Sequence, residues 1–122
     1  MKLSQAEIEA RLLEVRLSYV ASLVEKRDTM LAQWTALCTH WQQDTFQSLY
    51  LIVHSLAGSA ETFGLADITH DARKLVEQFK RHTPEQPFDT ATSAKISADM
   101  DQLVASMNDG LSEINNKEMK PD

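Results

Sequence analysis

Residues 44–64 read DTFQSLYLIVHSLAGSAETFG, and this stretch spells out one whole helix with both of its ends. Asp44 stands as an N-cap with Gln47 three residues on, the pattern in which side-chain oxygens take up orphan amides of the first turn. Phe46, Leu49, Val53, Leu56, Ala60 and Phe63 then recur at spacings of three and four, which lays them along one face of an α-helix. Gly64 follows as the residue that closes a helix in the left-handed conformation. A broad apolar face of this kind must be buried against other elements.

Working outward, those elements are helices too. Upstream, Ser4-Gln5-Ala6-Glu7 fits a capping box, and an apolar pattern runs from there to about His40. Leu17, Val24, Leu31 and Cys38 repeat every seven residues, Val20, Trp34 and Trp41 interleave with them, and Leu23, Met30 and Leu37 widen the stripe. Nothing between Ser4 and His40 says whether this is one long helix or two. Downstream, Ile68, Ala72, Leu75 and Phe79 mark a helix from about Ala66 to His82, whose last turn places Lys80, Arg81 and His82 at the negative end of the dipole. Thr83–Phe88 is a loop with two prolines. Asp89 or Thr90 caps a fourth helix with Ile96, Met100, Leu103, Met107, Leu111 and Ile114 on its stripe, frayed near its end by Gly110. The reading is all-α: an antiparallel four-helix bundle over residues 1–115, with an extended or broken first helix. Residues 116–122 form a polar tail expected to be disordered.

Composition agrees and excludes alternatives. The 122 residues hold three glycines, where average usage of roughly 7% would give about eight or nine. The first 57 contain neither glycine nor proline, so the turns of a β-sandwich or barrel are missing. There is no GxGxxG and no GxxxxGK[ST] phosphate loop. The net charge of −6 speaks against nucleic acid or an anionic membrane surface as partner, and no run is long enough to span a bilayer. Cys38 is the only cysteine, which excludes an intrachain disulfide and suits a reducing, cytoplasmic compartment. The charged N-terminus has no apolar h-region of a secretory signal.

The outer face of the 44–64 helix carries the chemistry. His54 points away from the apolar stripe, with Gly58 one turn later and Glu61 one turn beyond; Leu51 lies one turn before. A glycine inside a helix costs roughly 1 kcal/mol relative to alanine, and residues i and i+4 are neighbours, so Gly58 is expected to leave the space beside the His54 ring bare. An imidazole flanked by bare backbone and an exposed leucine suits a nucleophile toward a group carried by another protein, because neutral imidazole is abundant near neutral pH.

The run His54-Ser55-Leu56-Ala57-Gly58-Ser59-Ala60-Glu61-Thr62-Phe63-Gly64-Leu65 resembles the signature of histidine-containing phosphotransfer (HPt) domains. His54, Leu56, Gly58, Ser59, Ala60, Phe63 and Gly64 match that pattern, and the likeness continues through Leu65, Ile68, Leu75 and Glu77. The resemblance implies a four-helix phosphocarrier, not an enzyme with its own catalytic site, in a multistep two-component phosphorelay. His54 would accept a phosphoryl group from an aspartyl phosphate on a response-regulator receiver domain and pass it to another. A hybrid sensor kinase would supply the relay, and the receiver would dock around Leu51, His54, Ser55, Gly58 and Glu61. It implies no metal or cofactor on this chain, since Mg²⁺ belongs to the receiver; a lone bundle with an acidic net charge suits a monomer. The chain departs from the family at Ala57, where a lysine usually contacts the phosphate; Arg73 and Lys74 on the third helix are the candidates to replace it.

The other readings are plainer. His40, His70 and His82 show no metal-ligand spacing. Trp34, Trp41 and Cys38 read as packing, and Lys74, Lys80 and Arg81 as a solvated face. Two competing functions stay open: a docking bundle that is never phosphorylated, which Ala57 favours, and a small helical metal or cofactor carrier.

Overall fold

The computed structural model describes the backbone of residues 2–119 and the side chains of residues 2–114. Four helices follow one another: α1 (Gln5–Thr39), α2 (Gln43–Thr62), α3 (Ala66–Lys80) and α4 (Thr90–Met119). α1 packs on α2 and α4, and α3 packs on the same two. Polar bridges give the directions. Tyr19 Oη lies 3.3 Å from Ser59 Oγ while Gln33 Nε2 donates to Ser48 Oγ at 2.8 Å, so α1 and α2 run opposite ways. Ser106 Oγ donates to Asp71 Oδ2 at 2.5 Å and Gln78 Nε2 to Asp99 Oδ2 at 2.7 Å, which makes α3 and α4 antiparallel as well. The fold is the all-α four-helix bundle read from the sequence.

α1 is one unbroken helix of 35 residues, started by Ser4 Oγ accepting from the Glu7 amide. At 1.5 Å per residue it is about 52 Å long, and it outruns the bundle: every residue from Gln5 to Ser18 is exposed. Its buried line is Tyr19, Leu23, Met30, Trp34 and Leu37. The heptad line read from the sequence is corrected in part. Leu17, Leu31 and Cys38 are exposed, and Val20 and Val24 only half-buried. A straight α-helix drifts against a strict seven-residue repeat, and the bundle uses the other line.

The N-cap of α2 is Gln42, which makes no side-chain cap bond. The expected Asp44 cap is therefore displaced by two residues, and Asp44 lies within the first turn, where its charge meets the positive end of the dipole. The far end is as read. Gly64 has φ +72°, its N–H donates to Glu61 O at 3.1 Å, and the Leu65 N–H reaches Ala60 O at 2.9 Å: both bonds of a Schellman motif. Phe63, read as core, is 40% exposed and stacks on the Tyr19 ring at 3.9 Å.

The α3 stripe is buried as expected, but the helix ends at Lys80. His82 lies beyond it, not in its last turn, and its ring packs 4.0 Å from Phe88 and edge-on to Trp41 and Phe46. Trp34 and Trp41 are packing residues, held by bonds to Ser97 Oγ and Pro84 O. Cys38 is exposed, not core. Asp89 caps α4 through Thr92 N at 2.7 Å, and that bond holds its carboxyl below the usual range. Gly110 does not fray α4: a Cβ there would stand 3.1 Å from Ile68 Cδ1, so the glycine lets α4 close on α3. The α4 backbone continues past the expected boundary at 115 to Met119; the rest of the expected tail lies outside the described residues.

Candidate functional site

The core line of α2 (Phe46, Leu49, Val53, Leu56, Ala60) is buried against the other helices, and this fixes the rotation of the helix. Leu51, His54, Ser55, Gly58 and Glu61 are thereby all exposed on its outer face. Leu51 is 70% exposed, an unusual position for a leucine on an otherwise well-packed helix.

His54 opens onto a groove of about 520 Å³ between α2 and α3, shared with Ala57, Gly58, Arg73, Val76, Glu77 and Lys80. Ala57 is 7% exposed, so its methyl forms part of the groove floor and leaves the space above to longer side chains from α3. The room at Gly58 is not there to clear the His54 ring. A Cβ on Gly58 would meet nothing within 4 Å, the His54 ring included. The bare space is therefore not demanded by packing within the bundle.

The two cations proposed from the sequence separate. Arg73 lines the groove with His54, and its Nη2 is 2.7 Å from Glu61 Oε2. Lys74 turns to α4, with Nζ 3.6 Å from Asp99 Oδ1, and is not among the groove residues. Lys80 is among them, although the sequence reading treated it as solvated surface. Arg73, Val76, Glu77 and Lys80 follow one face of α3 at spacings of three and four, so helical periodicity alone could have brought Lys80 in.

Lys80 also borders a second groove of about 580 Å³, with Phe46, Tyr50, Leu51, Phe79 and Pro84 on its walls. Around one imidazole the surface therefore offers apolar contact on the Leu51 side and, on the α3 side, the cations Arg73 and Lys80 together with the carboxylate of Glu77. A nucleophilic nitrogen, nearby cations and an open approach suit transfer of an anionic group from a second protein. Among the described residues no three His, Cys, Asp or Glu side chains gather in a way that could hold a metal ion, and no helix is long and apolar enough to cross a membrane.

No curated protein and no solved structure matches the chain. The family model described as Hpt domain matches residues 8–115, which takes in all of α2 and α3 and most of α1 and α4. Fold, motif and match coincide over nearly the whole sequence, and the chain belongs to the Hpt domain family, the phosphocarriers of histidine phosphotransfer in phosphorelays.

Proposed function

We propose that His54 is the phosphoacceptor, loaded from the aspartyl phosphate of a response-regulator receiver and emptied onto another receiver. The observation that carries this is the exposed imidazole of His54, in a groove with Arg73 and Lys80 and beside the bare backbone of Gly58. A ring nitrogen attacks the phosphorus with its lone pair. The P–N bond forms as the P–O bond to the aspartate breaks, and the carboxylate leaves with that electron pair. The proton on the other ring nitrogen exchanges with solvent. Arg73 and Lys80 supply positive charge to the phosphoryl oxygens in place of the lysine that Ala57 replaces. The receiver sits on Leu51 and the apolar groove beside it, and brings the Mg²⁺ it uses for its own aspartate. The carrier works as a monomer in the cytoplasm, in a relay headed by a hybrid sensor kinase.

The test is label transfer. Radiolabelled phospho-receivers are mixed with wild type and with His54→Gln. Wild type is expected to take label and the variant to lose it entirely. Undiminished labelling of His54→Gln sinks the assignment. Binding to receivers with no label from any of them selects the docking-bundle reading, which the methyl of Ala57 favours.

A further inference from the structure

Arg73 borders two hollows at once. One contains His54, Ala57 and Gly58; the other, of about 330 Å³, contains Glu61, Gly64, Thr69 and His70. The guanidinium lies toward the second, bonded to Glu61. We infer that Glu61 is a positioning residue that withholds Arg73 from the phosphoryl group on its way to His54, and so sets how readily His54 is loaded. The inference rests on the assignment of His54 as phosphoacceptor.

The geometry makes the exchange easy. His54, Gly58 and Glu61 stand on successive turns of the same α2 face, with Arg73 opposite on α3. Ala57 and Gly58 line the groove that Arg73 shares with His54, and a Cβ on Gly58 would meet nothing within 4 Å. The ion pair is solvent-washed, its side chains 56% and 62% exposed, and exposed pairs of this kind hold weakly. A phosphoryl group offers three oxygens and more negative charge than a carboxylate, and a planar guanidinium binds such a group through two parallel bonds. Arg73 therefore leaves Glu61 when the phosphoryl group arrives. Breaking the ion pair subtracts from what Arg73 contributes, so removing Glu61 makes loading easier.

Potassium phosphoramidate tests this without a partner protein. The His54 nitrogen attacks phosphorus, the P–N bond of the reagent breaks and ammonia departs; ³¹P NMR follows the initial rate. Glu61→Gln is expected to be labelled about two- to fivefold faster than wild type, the range set by the strength of an exposed pair. Arg73→Ala is expected to be slower, and Glu61→Gln added to Arg73→Ala to gain nothing. Arg73→Lys is expected to restore part of the rate, and the gain from Glu61→Gln to shrink as salt is raised. Equal rates for Glu61→Gln and wild type, or a gain that persists without Arg73, overturn the latch while His54 stands. A wild type that takes no label from phosphoramidate or from any phospho-receiver overturns the His54 assignment, and the latch with it.

Discussion

Leu12 and Leu51 are both leucines in long helices, and both face water, at 51% and 70% exposure. Leu12 lies in the part of α1 that outruns the bundle, among Gln5–Ser18, where every residue is exposed. Its neighbours Ile8, Leu13, Val15 and Leu17 are exposed with it. Leu51 lies on a helix whose opposite face is fully buried, one turn from His54 and at the rim of an apolar groove. The first exposure covers a whole helical segment. The second is a single residue singled out on a packed element. Only the second borders an apolar groove beside the proposed phosphoacceptor, and the difference shows that an exposed leucine is informative on a helix whose other face is packed.

The sharpest way to break this contrast is to empty each region in turn. Leu103 is fully buried on α4, and Leu103→Ala is expected to destabilise by about 2–5 kcal/mol, from lost transfer free energy and the cavity left behind. Leu12→Ala removes the same atoms from the outrunning part of α1. It is expected to change stability by less than about 0.5 kcal/mol, since leucine and alanine differ little as helix formers and no core contact is lost. Urea unfolding of both variants decides it. Equal losses would mean that the first turns of α1 belong to the same cooperative unit as the core.

The same contrast explains what was legible in the sequence. The stripes of α2, α3 and α4 were readable because each helix has one apolar line and polar residues elsewhere. α1 carries two apolar lines, through Leu17/Leu31/Cys38 and through Leu23/Met30/Leu37, and which one faces inward depends on where the other helices stand. The outer placement of His54, Leu51 and Gly58 followed from the α2 stripe alone. Lys80 does not stand out in the sequence because a charge near a helix end has a ready explanation in the dipole. Gly110 was misread because a close helix approach is a property of two elements, here α4 and Ile68 of α3. The buried pair of Asp71 and Ser106 was missed for the same reason: its residues are 35 positions apart.

Gly58 offers a finer cut, because it separates stability from function at one residue. A methyl there meets nothing in the bundle, and alanine is the better helix former, so Gly58→Ala is expected to stabilise the fold by about 0.5–1 kcal/mol. Label transfer from a phospho-receiver is expected to fall at the same time, because the methyl occupies space that the incoming protein uses. A thermal melt and a transfer assay on the same preparation settle it. If the variant is more stable and transfers as fast as wild type, the glycine has no role in the approach to His54.

A smaller effect is expected at the start of α4. Thr92 N–H donates to Asp89 Oδ1, and this bond holds the carboxyl below its ordinary value of 3.8, with a smaller contribution from the charge of His82. A carboxylate whose folded pKa is depressed adds stability that is present above the unfolded pKa and disappears as pH falls through the folded one. Asp89→Ala is therefore expected to melt below wild type at neutral pH, with the gap closing below about pH 4 as the wild-type carboxyl takes up its proton. Thermal melts across that range check it. A gap of constant size down to about pH 2 would show that the side chain acts through its shape or its backbone preference, and that the charge on the cap contributes nothing to holding α4 against the bundle.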